Sequence, residues 1–365
     1  MAIEISDISK QFGKTQVLRG IDLSIMDREL VALLGPSGSG KTTLLRIIAG
    51  LEWPDAGQLV VAGEDWMQLG AKDRRIGFVF QSYALFPHMT VRENLAFGLT
   101  VRPKAQRPSA AQITSRVDEL LTLLQIDTLG ERYPAQLSGG QRQRVALGRA
   151  LAIEPRVLLL DEPFGALDAA IRRDLRRWLR EVHERTGSTT IFVTHDQEEA
   201  FELADRVVVM EQGRIAQIGT ADQIHDHPAT PFVARFMGAV IELPVTLRAG
   251  RAELKGVDTS ALPRRPLGDG PATLFLAPDQ VALEADPASP FLVTAVSSTG
   301  KLLRVTLEAP GLPVVDLDLP RLQARGVAVG QNFRLRPLAG AVFSAPRSAS
   351  PAGLIEMTPV KENIA

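Results

Sequence analysis

Apolar residues are spaced differently in different parts of the chain. "ELVALLG" (Glu29–Gly35), "RVLLLD" (Arg156–Asp161), "TIFVTH" (Thr190–His195) and "RVVVM" (Arg206–Met210) are apolar runs of strand length with no alternation. That pattern predicts strands covered on both faces. Leu44, Leu45, Ile47, Ile48 and Leu51 then recur at helical spacing, so "GPSGSGKTT" lies at a strand-to-helix turn. Ile171, Leu175, Trp178 and Val182 fall on one face of "IRRDLRRWLREVHERTG", with a stop at Gly187. Strand–helix–strand alternation of this kind predicts a mostly parallel sheet covered by helices.

Strand signals fade over about 90–152. There "ITSRVDELLTLLQI" is amphipathic and follows the polar break "RPKAQRPSAAQ". This stretch reads as a helical subdomain inserted into a sheet domain spanning 1–237. After Met237 the pattern becomes short alternating segments, such as "FLVTAVSSTGKLLRVTLEA", divided by Pro, Gly and Asp. They predict a small β-barrel or sandwich over 238–350, and 351–365 reads as a loose tail.

Composition narrows the role. With 365 residues, 45% of them apolar, the chain has room for more than one core. A formal net charge of −1 supplies no general attraction to nucleic acid or anionic lipid. Cysteine is absent, which removes disulfides, thiolate metal sites and a thiol nucleophile, and fits a reducing cytosol. "MAIEISDISKQFG" lacks the basic start and apolar core of a signal peptide. No apolar run approaches the ~18 residues that span a bilayer. Any membrane role is therefore expected to run through a partner, from the cytosol.

"GPSGSGKTT" (Gly35–Thr43) fits G-x-x-x-x-G-K-[ST] in the setting that motif requires. Gly35, Pro36, Ser37, Gly38, Ser39 and Gly40 would wrap phosphates with backbone N–H groups. Lys41 would reach the outer phosphates and Thr42 would offer its hydroxyl to Mg2+, with Thr43 following on the helix. The plain alternative, a flexible Gly/Ser turn, leaves the flanking strand and helix unexplained. Asp161 and Glu162 close a buried run. The first suits Mg2+ held through water and the second suits activation of an attacking water. A helix-capping aspartate is the plainer reading of the first.

"LSGGQRQRVALGRAL", from Leu137, opens a second anion-binding helix start, with free N–H groups at the positive end of the helix dipole. By spacing alone, Gln81 reads as a surface residue and His195 as a structural one. Phe78 and Phe80 read as core, while Tyr83 and Phe86 lie past the strand and are expected at the surface. Arg172, Arg173, Arg176, Arg177 and Arg180 are interleaved with Asp174, Glu181 and Glu184, which predicts a solvated outer helix face rather than a nucleic-acid surface.

Together these motifs resemble the ATPase subunits of ATP-binding cassette transporters, from about Ala2 to Met237. In that likeness Gly35–Thr43 is the Walker A loop, Gln81 the Q-loop and "LSGGQ" the signature. "VLLLDEP" is Walker B, "GALD" (Gly165–Asp168) the D-loop and His195 the switch histidine. The resemblance implies an α/β P-loop NTPase (ABC ATPase) with an inserted helical subdomain, followed by a small all-β barrel. It implies ATP and Mg2+ as cofactors, and a head-to-tail pair of copies. ATP on Gly35–Thr43 of one copy would be capped by Ser138, Gly139, Gly140 and Gln141 of the other, so the two anion sites of one chain would serve two ATP molecules. Glu162 would be the general base, and His195 would hold the γ-phosphate and water. Gln81 would join Thr42 and Asp161 around Mg2+, and Phe12 would stack on adenine. The implied partners are a second copy, two permease subunits docking near Gln81–Met89 on exposed Tyr83, Leu85 and Phe86, and indirectly a solute-binding protein. Nucleic acid is not among them. The implied place is peripheral, on the cytoplasmic face of the inner membrane.

Two positions depart from the family pattern. Gly148 replaces a usual alanine, which predicts slight helix softening of ~1 kcal/mol. Ala277 stands where arginine often precedes the proline of "LFLAPDQVAL". Within the family, "LAFGLTVRPKAQRPSAAQI" most resembles the sulfate/thiosulfate importer branch. The alternatives are the same machine for molybdate, iron, a sugar or a polyamine, or a soluble cassette of DNA repair or translation. Only about sixty residues separate Gln81 from Leu137, too few for the long coiled coils of repair cassettes. A single motif set also differs from the paired cassettes of translation.

Overall fold

The predicted buried runs become the centre of one sheet. The structure, a computed structural model, describes residues 3–165, 169–264 and 268–344. The expected tail at 351–365 and the D-loop residues Ala166, Leu167 and Asp168 lie outside the described residues. Contacts divide the chain into two units, meeting between Met237 and Gly238.

The first unit opens with β1 (Ile3–Phe12), β2 (Thr15–Ile25) and β3 (Leu30–Leu34), then α1 (Lys41–Ala49), β4 (Ala56–Val61), β5 (Glu64–Asp65) and β6 (Ile76–Val79). Three helices follow, α2 (Val91–Thr100), α3 (Ala110–Leu123) and α4 (Gly139–Ala152). The chain returns through β7 (Val157–Asp161), α5 (Ala169–Thr186), β8 (Thr189–Thr194), α6 (Gln197–Leu203), β9 (Arg206–Glu211), β10 (Arg214–Gly219), α7 (Ala221–Asp226) and α8 (Pro231–Phe236).

The main sheet runs β10-β9-β3-β8-β7-β6, parallel except for β10. Every residue of β3, β7 and β8 is buried, as runs without alternation require. Successive side chains of a strand point to opposite faces. Leu30, Ala32 and Leu34 therefore enter a core shared with the helices, while Val31 and Leu33 enter one shared with α1 and a second sheet. That second sheet, β2-β1-β4-β5, is antiparallel and has no counterpart in the sequence reading.

The helical region has its starts written locally. Thr90 with Glu93, Ser109 with Gln112, and Ser138 with Gln141 each form a reciprocal capping box. Three expectations are corrected by packing. Leu51 lies beyond the end of α1 and is half exposed, because Gly50 turns left-handed at the helix end. Arg176 is not on an outer face. It is 4% exposed, and α6 supplies Glu202 at 2.5 Å and Glu198 at 3.0 Å to its guanidinium. Gly148 marks a close approach rather than a soft spot. A Cβ there would stand 2.3 Å from a Leu124 methyl and 2.6 Å from a Leu95 methyl. Leu175, Trp178 and Val182 are buried as their spacing predicts, whereas the side chain of Ile171 lies outside the described residues.

The second unit is all-β. It comprises β11 (Ile241–Arg248), β12 (Arg251–Glu253), β13 (Gly270–Leu276), β14 (Val281–Ala285), β15 (Leu292–Ser298), β16 (Leu302–Glu308), β17 (Val315–Pro320), β18 (Phe333–Pro337) and β19 (Ala341–Ser344). The sheets are β12-β11-β13-β19, β14-β18 and β15-β16-β17, around a core that includes Leu243, Leu274, Val305, Leu317 and Leu335. Burial alternates along β11 and β17, as the sequence pattern predicts. Among the described residues, no helix of either unit is long and apolar enough to cross a membrane.

Candidate active site

The loop Gly35–Gly40 joins the end of β3 to α1. Gly35 has φ +155°, and a Cβ at this position would meet the Met210 carbonyl oxygen at 2.3 Å, so only glycine fits. The Lys41 ammonium, 5% exposed, donates to the carbonyls of Gly35 at 2.8 Å and Pro36 at 2.9 Å. Burial lowers its pKa, opposed by the charges of Glu162 and Asp161.

Thr42, beside it, donates its hydroxyl to Asp161 Oδ1 at 2.9 Å. Asp161 ends β7 and is 5% exposed. Desolvation lifts its carboxyl above the ordinary value, while the Thr42 bond and the charges of Arg46 and Lys41 pull it down. Glu162 follows in left-handed backbone, φ +45°, an uncommon conformation for a residue with a side chain. Its N–H donates to the Val193 carbonyl at 3.2 Å, which fixes the turn against β8. Gln81 Nε2 donates to Glu162 Oε2 at 2.9 Å, and His195 Nδ1 lies 3.8 Å from Glu162 Oε1.

His195 follows β8, and its side chain is 60% exposed. The turn beside it is braced by residues the sequence reading overlooked. Thr194 Oγ1 donates to Glu199 Oε2 at 2.5 Å and accepts the Asp196 N–H at 3.0 Å. Burial raises the pKa of Glu199. Nothing in the pattern of "THDQEEAFEL" separates Glu199 from its exposed neighbours.

The structure thus brings Lys41, Thr42, Gln81, Asp161, Glu162 and His195 to the ends of β3, β6, β7 and β8. Strand ends of an open α/β sheet are where such folds bind ligands. Among the described residues, no hydrogen bond or ion pair joins Ser138–Gln141 to this cluster. Ser138 instead caps α4: its Oγ accepts from the Gln141 N–H at 3.3 Å, and Gln141 Oε1 accepts from the Ser138 N–H at 2.9 Å. The first N–H groups of α4, on Gly139 and Gly140, have no acceptor within the helix. Phe12 stands apart at the end of β1, 46% exposed, with the Lys10 ammonium 5.0 Å from its ring centre.

Tyr83 corrects an expectation. It is 7% exposed, not a surface anchor, because its φ of +62° turns the ring into the helical core. Burial raises its pKa. Leu85 and Phe86 are half buried beside it.

A strand–loop–helix phosphate cradle, with two carboxylates at the end of β7, one strand removed from β3, defines a P-loop nucleoside triphosphatase. A family model described as ABC transporter matches residues 18–165. The sulfate/thiosulfate import ATP-binding protein CysA of Methylococcus capsulatus is 55% identical, across 88% of this chain and 92% of that protein. Its namesake from Xanthomonas campestris pv. campestris is 53% identical, across 94% of this chain and 100% of that protein. A solved dimeric structure of the ATP-binding cassette MJ0796, in a post-hydrolysis state bound to ADP and Pi, is similar with a TM-score of 0.54 and 31% identity. It covers 60% of this chain and 98% of that one. The chain belongs to the ABC transporter family, as one of its ATP-binding, ATP-hydrolysing subunits.

Proposed function

We propose that this chain powers import of sulfate or thiosulfate by hydrolysing ATP as a head-to-tail pair. The observation that carries the hydrolytic reading is the connected set Thr42–Asp161 and Gln81–Glu162–His195. Gly35–Thr43 binds the phosphates, and Lys41 turns from the loop carbonyls to the outer phosphates. Phe12 offers a ring for the adenine to stack on.

The Thr42 hydroxyl and the Asp161 carboxylate form an oxygen donor pair that suits a hard divalent cation. Thr42, Asp161 and Gln81 would hold Mg2+, which when bound would neutralise charge on the β- and γ-phosphates. Glu162 takes a proton from the attacking water, and Gln81 and His195 orient that carboxylate. Preorganised donors stabilise the developing charge without reorganising during reaction.

The free N–H groups of Gly139 and Gly140, with Ser138 and Gln141, cap the γ-phosphate held by the second copy. The relatives' likeness spans both units, and their names supply the solute. Gln81–Met89 receives the permease subunits at the cytoplasmic face of the membrane, and a solute-binding protein delivers the anion to them. In support, an apolar groove of about 400 Å3 lies there, lined by Phe78, Phe80, Ala84, Phe86 and Phe97.

The test is uptake of radiolabelled sulfate in cells lacking this protein, complemented with the unaltered chain or Glu162→Gln. Restoration by the unaltered chain alone supports both solute and mechanism. Normal uptake in the deletion, with no second sulfate importer present, overturns the solute and leaves the ATPase in place.

A further inference from the structure

The segment after Gln81 contains two consecutive non-glycine residues in left-handed backbone, Tyr83 at φ +62° and Ala84 at φ +45°. Such a pair persists only where its surroundings hold it. The holder is Arg149, on α4. Its Nη1 donates to the Ala84 carbonyl at 2.7 Å and its Nη2 to the Tyr83 carbonyl at 3.2 Å. The same guanidinium lies 5.1 Å from the centre of the Phe86 ring. Among the described residues no carboxylate lies within ion-pair distance of it, so the loop is its engagement. From the other side, Asn94 on α2, fully buried, accepts the Phe86 N–H at 2.9 Å and donates to the carbonyls of Phe86, Met89 and Thr90.

Arg149 stands on the helix that Ser138 caps. Eleven residues separate the two, about 16 Å along a helix axis. α4 is continuous from Gly139 to Ala152 and packs on α2 and β6. A push on the loop at Ala84 and Phe86 therefore reaches the start of α4 through one rigid element.

We propose that Arg149 is a positioning residue that locks the docking loop and ties its position to the Ser138–Gln141 turn. The proposal rests on the docking and capping roles assigned above. Neither a neutral side chain nor a lysine reproduces it, because only the guanidinium fork holds two carbonyls while covering the Phe86 ring.

The experiment compares the unaltered chain, Arg149→Lys and Arg149→Ala, each as the isolated full chain and assembled with its membrane subunits in proteoliposomes. ATP turnover and solute uptake are both measured. The expected result is that kcat and KM of the isolated chain stay within about twofold. Uptake and the stimulated ATPase of the assembly fall at least about fivefold for Arg149→Ala, the lower bound of ordinary coupling between sites. Arg149→Lys, which can fill one carbonyl, falls between. Equal losses in the isolated chain and the assembly overturn the proposal, since they mark a purely structural residue, and so does unchanged uptake. The chain has no cysteine, so Pro87→Cys gives a single cross-linking site on the exposed part of the loop. Cross-linking of Pro87→Cys to the membrane subunits, with uptake indifferent to Arg149, overturns the coupling alone. Failure of Pro87→Cys to cross-link overturns the docking assignment, and with it the proposal.

Discussion

Gln81 and Glu162 come from different strands and meet at 2.9 Å, with the amide of one donating to the carboxylate of the other. A single bond thus links the loop read as a docking surface to the carboxylate read as the base. In the proposed assembly, a displacement of Gln81 by a partner would change the orientation of Glu162.

Glu162→Gln keeps the shape and leaves Gln81 an acceptor, but removes the basic oxygen. Turnover is expected to fall by ~10²–10⁴-fold while ATP binding is retained. Steady-state hydrolysis and equilibrium nucleotide binding, measured on the same preparation, check this. Near-normal turnover would move the base elsewhere.

Asp161→Asn separates stability from function. The folded pKa of Asp161 is raised above its ordinary 3.8, chiefly by desolvation. A raised pKa means the fold favours the neutral acid, so its contribution is complete below the unfolded pKa and is lost as pH rises through the folded one. At neutral pH the ligand-free variant is therefore expected to be more stable than the parent. The extra stability conferred by Mg2+ with ATP should disappear in the variant. Thermal unfolding from pH 4 upward, with and without Mg-ATP, reads both effects. A ligand-free variant less stable than the parent at neutral pH would contradict the sign.

Arg74→Met tests the support beneath α1. Arg74 is 2% exposed and donates to the carbonyls of Ile47, Ile48, Trp66 and Leu69. Its guanidinium lies 5.6 Å from the Trp53 ring and 5.7 Å from the Trp66 ring. Two of the carbonyls belong to the last turn of the helix that starts at Lys41, and that of Ile47 also accepts the Gly50 N–H. Hydrogen bonds to a charged donor are worth more than neutral ones, so a loss of about 3 kcal/mol is expected in urea unfolding. An unchanged midpoint would show that water replaces the guanidinium.

Gly148→Ala pits two effects against each other. Alanine gains ~1 kcal/mol of helix propensity. The added methyl, however, meets the buried tips of Leu124 and Leu95, and such overpacking costs about 1–3 kcal/mol. The net expectation is a loss of about 1 kcal/mol, seen as a lower melting temperature. A gain in melting temperature would mean that the three helices can move apart.

Local chemistry explains which features the sequence made legible. The phosphate loop and the buried strands depend on neighbours a few residues away, so they could be read directly. The antiparallel sheet went unread, although Ile21, Leu23 and Ile25 alternate along β2. β1 breaks its alternation after Ile5, where Asp7 is left-handed and the register slips before Ile8. Tyr83 was misjudged because a left-handed turn, not its side chain, decides which way it faces. Arg176 was misjudged because its acids arrive from a helix about twenty residues on. Gln81 and His195 are ordinary at strand ends until Glu162 is placed between them.

The bonds of Lys41 bear on how it meets a phosphate. Its ammonium is engaged by the Gly35 and Pro36 carbonyls. An ammonium has a third donor, so a phosphate oxygen can reach it before either carbonyl is released. The loop's own carbonyl oxygens thus hold the ammonium in place while leaving it able to meet an incoming phosphate.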